Sequence, residues 1–293
     1  MENQCYYETC IVMGTGQFAF LCAGLLKRFS RLDGVYEYGA INWSGLGSLC
    51  AKADYPYTPL HSKKDADELM EKLTAQKRKV FVLSASNIYL FPNYICRDSN
   101  IDIVNYHPAL VNAHLGRNAE AWAIFEQNKV TGVTWHEVIT KVDQGRVYIQ
   151  GEIPLDTKVT SLKLMLLQYK LGVELLKKIL PELISGKQIQ GVAIKSDGQM
   201  HYSVDIPNNG LLDLGWEKDK ISSFLRCMDY GRLNILGTPA LYENGKRYTW
   251  EGYKIIESFT SDLNNNCNDK IIVKGDTVFI LKNFRECREK VVG

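Results

Sequence analysis

Apolar and polar positions follow two different periods along the first half of the chain. Continuous apolar runs at residues 79–86 (KVFVLSAS) and 101–108 (IDIVNYHP) are typical of buried strands. Residues 119–128 (AEAWAIFEQN) place apolar side chains at helical spacing instead. Such strands and helices alternate from residue 1 to about residue 150. This order predicts an α/β domain with a Rossmann-like, mostly parallel sheet.

The second half begins with a long amphipathic helix, predicted over residues 161–180 (SLKLMLLQYKLGVELLKKIL), and then changes in texture. Residues 240–250 (ALYENGKRYTW) and 270–281 (KIIVKGDTVFIL) each read as two short strands around a glycine turn, which indicates hairpins. We therefore predict two domains: a larger one at 1–188, and a smaller α+β or β-barrel-like one at 189–293.

Charge and composition narrow the possible partners. The 293 residues include 35 Lys+Arg against 33 Asp+Glu, a net charge of +2, which argues against a nucleic-acid or membrane-surface partner. No apolar run approaches the roughly 18 residues of a membrane span, and the first ten residues do not resemble a secretory signal. The eight cysteines include no CxxC pair, so we expect no metal site. The expected location is the cytoplasm.

A glycine turn follows the first predicted strand. Gly14 and Gly16, with Ala19, fit the pattern G-x-G-x-x-A, and Glu37 lies about twenty residues further on. Such a turn can place a pyrophosphate at a helix N-terminus while the acid binds a ribose. An NAD(P)-dependent oxidoreductase is therefore one alternative, although strand-to-helix turns often use glycine without any ligand.

A second candidate site lies at the end of the run 101–108. Asn105 and His107 are two residues apart, so on a strand both side chains face the same side, and Pro108 ends the strand. The carboxyl ends of strands are where open α/β sheets bind ligands. An Asn amide can donate to an oxyanion, and a His can donate or move a proton. The simpler interpretation of a lone histidine is a structural role.

Asp143 is a third candidate, because it precedes Gly145 in a turn between two apolar strands. A carboxylate at that turn could orient His107 and take part in proton transfer. The alternative is a turn aspartate that bonds its own backbone, which is the commoner case.

Four stretches together carry a resemblance to a known family. IVMGTGQFAF (11–20), NYHPAL (105–110), GVTWHEV (132–138) and VDQGRVYIQ (142–150) occur in the order and at the approximate spacing of the formyltransferases that use 10-formyltetrahydrofolate. That family includes methionyl-tRNA, glycinamide ribonucleotide and amino-sugar formyltransferases. The resemblance covers at least residues 10–180. Residues 224–248 are also similar to the accessory C-terminal domain of the longer members.

The resemblance implies a catalytic trio of Asn105, His107 and Asp143. Asn105 and His107 would stabilise the oxyanion formed when a free amine attacks the formyl carbon, and Asp143 would hold His107 and help to collect the amine proton. The donor would be 10-formyltetrahydrofolate, without a metal. Gly14 and Gly16 would serve the fold or an acceptor phosphate. The residues expected to bind the pterin, mainly through backbone groups within 84–94 and 138–145, are Ser86, Tyr89, Leu90, Phe91, Pro92, Ile139, Lys141 and Val142.

The loop after His107 departs from the family pattern, since it lacks the usual proline and has Leu115 where arginine is usual. Arg117 or His114 could take over a contact with an anionic group of the acceptor. Either could equally be a solvated loop residue, and we favour that interpretation for His114.

The acceptor is expected to be a small-molecule amine: a nucleotide-linked amino sugar or an amino-acid-derived precursor. A tRNA acceptor would need a Lys/Arg-rich loop or domain, which the sequence lacks. A homodimer is possible. Three functions remain open at this stage: an N-formyltransferase, an NAD(P)-dependent oxidoreductase, and a hydrolytic or non-catalytic relative that binds formyltetrahydrofolate.

Overall fold

The computed structural model describes residues 5–39, 43–111, 113–187, 189, 191–193, 198–257 and 266–287. The strands are β1 Thr9–Gly14, β2 Gly34–Tyr38, β3 Tyr57–Leu60, β4 Val80–Ala85, β5 Ile101–His107, β6 His114–Gly116, β7 Val130–Glu137, β8 Val147–Pro154, β9 Gln199–His201, β10 Ala240–Glu243, β11 Lys246–Thr249, β12 Gly252–Glu257, β13 Lys270–Lys274, β14 Thr277–Lys282 and β15 Arg285–Glu286. The α-helices are α1 Gly16–Phe29, α2 Leu46–Ala53, α3 Lys63–Ala75, α4 Ala119–Phe125, α5 Ser161–Leu183 and α6 Lys218–Cys227. Three 3-10 turns occupy Ile95–Arg97, Pro207–Gly210 and Gly231–Leu233.

The chain forms two compact units, and it passes between them more than once. Unit 1 consists of the described residues of Met1–Gly116, Gly132–Ile153 and Leu167–Met200. Unit 2 consists of those of Arg117–Thr131, Pro154–Leu166 and His201–Gly293. The predicted domain boundary at residue 188 lies outside the described residues and stays a prediction.

Unit 1 is built on a seven-stranded sheet in the order β3-β2-β1-β4-β5-β7-β8. The pairs β2–β3, β1–β2, β1–β4 and β4–β5 are parallel, whereas β7 runs antiparallel to β5. The predicted α/β class with a mostly parallel sheet is therefore confirmed. The antiparallel step is important for the site, because it places residues of β7 directly opposite the end of β5.

Both faces of this sheet are covered, as its continuous apolar strands require. Every residue of β4 is buried. On one face a core cluster joins the sheet to α1, α2 and the C-terminal part of α5, and on the other a second cluster joins it to α3. The polar side chains of the site are therefore confined to strand ends and loops.

The glycine turn has a structural cause in the contact between β1 and β4. A Cβ on Gly14 would lie 1.9 Å from the backbone oxygen of Ala85, a distance that no side chain allows. Gly14 is thus needed for the two parallel strands to approach at their carboxyl ends, whether or not a ligand binds there.

Unit 2 carries two three-stranded sheets, in the orders β10-β11-β15 and β12-β14-β13, together with α6. The two predicted hairpins are confirmed as the antiparallel pairs β10–β11 and β13–β14. Asn244 and Gly245 both have positive φ at the first turn, as a two-residue hairpin turn requires. The smaller domain of mixed character predicted from the second half of the sequence is present.

Over the residues that the structure describes, no helix is both long enough and apolar enough to cross a membrane.

The close approach at Gly14 leads to a prediction. We expect Gly14→Ala to lower the free energy of unfolding by about 3 kcal/mol, because the new methyl group must push two core strands apart. The matched control is Gly252→Ala in β12, where an added Cβ meets nothing within 4 Å. Urea unfolding monitored by circular dichroism gives both values, and equal losses in the two variants would contradict the assignment.

Candidate active site

A row of polar side chains crosses three neighbouring strands of the sheet in unit 1. Ser84 on β4 is the register partner of Asn105 on β5, which in turn is the partner of His136 on β7. The Ser84 hydroxyl donates to Asn105 Oδ1 at 2.7 Å. Asn105 Nδ2 lies 3.2 Å from His136 Nε2. The row therefore extends from Asn105 on β5 to His136 on β7, a strand on which no catalytic residue was predicted from the sequence.

Asp143 connects this row to His107. Its Oδ2 lies 3.4 Å from His107 Nδ1, and its Oδ1 lies 3.3 Å from His136 Nε2. The backbone N–H of Gly116 donates to Oδ2 at 2.8 Å. The structure therefore brings Asn105, His107 and Asp143 into one cluster, with His136 as its fourth member.

The loop that carries Asp143 is held close to the end of β7. Asp143 itself has a φ of 51°, in the left-handed region that aspartate tolerates better than most residues. A Cβ on Gly145 would lie 1.8 Å from the Glu137 backbone oxygen, so only glycine allows this close return. Gly145 therefore lets the chain fold back and place the Asp143 carboxylate beside both imidazoles.

Backbone carbonyls define which imidazole nitrogens carry protons. His107 Nε2 lies 2.6 Å from the carbonyl oxygen of His114, and His136 Nδ1 lies 2.7 Å from that of Glu137. Because a carbonyl oxygen only accepts, both of these outer nitrogens must donate. The inner nitrogens, Nδ1 of His107 and Nε2 of His136, face Asp143.

The electrostatics keep Asp143 ionised. Burial by itself raises the pKa of this carboxyl, but the charge of His107, the hydrogen bond with His136 and the Gly116 N–H lower it to a net value below its ordinary range. His107 and His136 are each 2% exposed, whereas Asn105 is half-buried. Asn105 is thus the member of the trio that a substrate can reach most directly.

His114 corrects one expectation from the sequence. It was favoured as a solvated loop residue, but its side chain is 2% exposed. Burial, helped by the nearby charge of His107, lowers the pKa of His114 to about 4, so it is neutral at physiological pH. Its predicted contact with the acceptor remains a prediction, and a neutral imidazole could serve it only as a hydrogen-bonding group.

Arg117, the other candidate for an anionic contact, is half-buried. Burial lowers its pKa, and the nearby Glu120 acts in the opposite direction. An arginine keeps its charge under such shifts, so Arg117 remains a cation suited to an anionic group.

The two segments expected to hold the pterin differ in accessibility along their lengths. Leu90 is 72% exposed and Val142 is 42% exposed. Tyr89 is buried, its hydroxyl donates to Asp67, and its backbone N–H and carbonyl are both hydrogen-bonded to the Asn87 side chain. Among the other predicted residues, Ser86, Phe91, Pro92 and Ile139 are half-buried and Lys141 is exposed.

The structure gives Gly14, Gly16 and Glu37, which suggested a dinucleotide site, a role in the fold instead. Glu37 is fully buried, and the Tyr57 hydroxyl donates to its Oε2 at 2.8 Å. It presents no accessible oxygen to a ribose. Gly14 is required by strand packing, and Gly16 adopts a positive φ of 64° at the start of α1. No feature of the glycine turn therefore favours nicotinamide binding.

Sequence reasoning assigned no role to Ser84 and His136. A weak signal existed for each, since both are polar residues inside otherwise apolar strand segments. Their alignment with Asn105 depends on strand register, which periodicity along the sequence does not reveal.

Comparisons with known proteins find similar sequences over the part of the chain that carries this cluster. The formyl transferase family model matches residues 47–180, a range that contains the trio. The chain is 27% identical over 139 residues to the GDP-perosamine N-formyltransferase of Brucella melitensis biotype 1, a match that covers 47% of this chain and 52% of that protein. It is 25% identical over 235 residues to the methionyl-tRNA formyltransferase of Lactobacillus johnsonii, covering 79% of this chain and 69% of that protein.

Solved structures show the same fold. An N-formyltransferase from Helicobacter canadensis, in complex with folinic acid and dTDP-3-aminofucose, superposes with a TM-score of 0.68 at 15% identity, covering 94% of this chain and 98% of that one. A 4-N formyltransferase from Francisella tularensis gives 0.66 at 17% identity, covering 84% and 96%.

The resemblance to formyltransferases, which are transferase enzymes, is therefore confirmed by the sequence match at residues 47–180 and by relatives of that class. The chain spans about half the length of the first curated relatives that it matches.

The buried state of His114 predicts how stability depends on pH. The pKa of His114 is about 4 in the folded chain, against an ordinary value of 6.5. Between these two pH values His114 is therefore protonated in the unfolded chain but neutral in the folded chain. The free energy of unfolding should fall as pH drops from 6.5 to 4, and this group should contribute about 1–2 kcal/mol. Asp143 contributes in a separate window, because a lowered carboxyl pKa costs stability only below about pH 4.

Urea unfolding of the wild type and His114→Gln at several pH values between 7 and 4 measures this effect. The difference between the two free energies of unfolding should shrink as the pH falls. His61→Gln is the control, since His61 is exposed and its replacement should leave the pH dependence unchanged. Parallel curves for the wild type and His114→Gln would contradict the interpretation.

Proposed function

We propose that this protein is an N-formyltransferase that moves the formyl group of 10-formyltetrahydrofolate to the free amine of a small molecule. The observation that carries the proposal is the cluster of Asn105, His107 and Asp143 at the end of β5. In this cluster a half-buried amide stands beside a buried, ionised carboxylate and two imidazoles.

A folate-type donor is supported by the surface next to the trio. Leu90 and Val142 expose apolar side chains on the two segments expected to hold the pterin, and Phe91 and Val138 pack against the same core cluster. A flat heteroaromatic ring could cover such side chains while it bonds to nearby backbone groups. The Helicobacter canadensis enzyme was solved with folinic acid, and the WlaRD sugar 3N-formyl transferase with 5-N-formyl-THF.

The reaction needs positioning and stabilisation of one developing charge. The acceptor nitrogen attacks the formyl carbon and forms a C–N bond, and the carbonyl electron pair moves onto the oxygen. Asn105 can donate to this oxyanion, because an amide nitrogen carries two hydrogens and the contact with His136 uses one. Collapse then breaks the bond between the formyl carbon and N10 of the folate.

The proton that the acceptor nitrogen loses must finally reach N10. The Asp143 carboxylate can take it up through a water, with His107 as its buried partner. The direct contact of His107 with the oxyanion, which the resemblance implies, would require its Nε2–H to leave the His114 carbonyl. We therefore assign the oxyanion contact to Asn105 and the proton to Asp143, which is paired with His107.

For the acceptor we propose a nucleotide-linked amino sugar. This class is supported by relatives named as acting on GDP-perosamine and by the dTDP-3-aminofucose in the Helicobacter canadensis structure. Arg117 is a candidate for its anionic part. An amino-acid-derived amine remains the alternative acceptor.

The first test is calorimetric. Folinic acid should bind the protein, whereas NAD⁺ and NADPH should not. Binding of a nicotinamide cofactor in preference to folinic acid would contradict the proposal.

The second test is activity with 10-formyltetrahydrofolate, using dTDP-3-aminofucose, GDP-perosamine and ornithine as candidate acceptors. Asn105→Asp should lower kcat about 10²–10³-fold, because it replaces the oxyanion donor with an acceptor of the same shape. Its Kd for folinic acid should change little. Asn100→Asp, immediately before the opposite end of β5, is the matched control and should keep full activity. Formate release that needs no amine would indicate a hydrolytic relative, and unchanged turnover in Asn105→Asp would contradict the mechanism.

A further inference from the structure

We propose that His136 is a positioning residue of this site. The inner nitrogens of His107 and His136, which both face Asp143, share one proton. Which of the two rings carries this proton sets the orientation of the Asn105 amide. The geometry of the cluster carries this inference. Its meaning for catalysis rests on the proposed function.

Hydrogen-bond complementarity calls for one shared proton. Both outer imidazole nitrogens donate to backbone carbonyls, so two neutral rings would leave both inner nitrogens as lone pairs. These lone pairs would face the Asp143 carboxylate at 3.4 and 3.3 Å, which is two contacts between acceptors. One added proton turns one of the contacts into an N–H···O bond. A second would place two cations on rings whose centroids are 6.3 Å apart, opposite a single negative charge.

The other titratable groups nearby do not change the number of protons that the two inner nitrogens share. On the His107 side the neighbouring titratable group is His114, which is neutral at physiological pH. On the His136 side the Glu137 carboxylate is turned to Arg146, whose Nε and Nη2 donate to it at 2.9 and 3.0 Å. Asp143 is therefore the charge that the shared proton balances.

The proton is coupled to Asn105 because His136 Nε2 has two neighbours, Asn105 Nδ2 and Asp143 Oδ1. When the proton is on His107, His136 Nε2 is a lone pair and accepts from the Asn105 amide. When the proton is on His136, its N–H points to Asp143 and opposes the Asn105 N–H, so the amide must turn.

Ser84 makes both amide orientations possible, since its hydroxyl can donate to Oδ1 or accept from Nδ2. Only the first orientation directs an N–H of Asn105 to His136 and leaves its second N–H for an oxyanion. His136 thus keeps Asn105 as a donor as long as the shared proton is on His107.

Imidazole and side-chain amide ¹⁵N NMR on the full chain without ligand tests this directly. In the wild type, the signals of the inner nitrogens of His107 and His136 should change together along a pH series, because the two rings share one proton. The Asn105 Nδ2 signal should follow with the same midpoint. His136→Gln can still bond to Asp143 but cannot titrate, so in this variant the coupled pH shift of the Asn105 signal should disappear.

Two further variants keep the test decisive. His61→Gln removes an exposed histidine and should leave all site signals unchanged. Ser84→Ala removes the anchor of the amide and should average the Asn105 signal between two orientations, even if His136→Gln does not fold. Independent titration of the two rings, or an Asn105 signal in the wild type that ignores pH, would overturn the inference. Because no folate is present, that outcome is distinct from a failure to bind folinic acid, which would overturn the proposed function instead.

Discussion

The candidate site depends on one buried carboxylate. Asp143 lies between two buried imidazoles and accepts a backbone N–H, and each of its oxygens has a separate imidazole partner. A buried charge is costly unless such partners compensate for it. Removing this carboxylate would leave two histidines facing each other without a counter-charge. The two buried histidines therefore require Asp143 as their counter-charge. Asp143 in turn requires the loop that brings it back to the end of β7.

That backbone is specified by features distant from the chemistry. The antiparallel pairing of β5 with β7 places His136 opposite Asn105, and the missing side chain of Gly145 lets the next loop approach the end of β7. On the other side of β5, the parallel pairing with β4 supplies Ser84. The sheet thus places one row of polar side chains across otherwise apolar strands, and the loop after β7 adds Asp143 to this row.

Some of this could be read from the sequence, and the reasons for the rest are physical. Asn105 and His107 were predictable because side chains two apart on a strand share a face. Asp143 was a candidate from its place in a turn between two apolar strands, and the resemblance favoured its link to His107 over an ordinary turn aspartate. Ser84 and His136 were missed because their roles depend on register between strands. The solvated position favoured for His114 was wrong, because the burial of a short strand such as β6 depends on what packs over it.

A crystal structure of the protein with folinic acid would test the central claim most directly. We expect the pterin to lie between the segments 84–94 and 138–145, with its formyl group beside the trio and the formyl oxygen about 3 Å from Asn105 Nδ2. Folinic acid bound elsewhere, for example at the Gly14–Gly16 turn with the formyl group remote from Asn105, would contradict it.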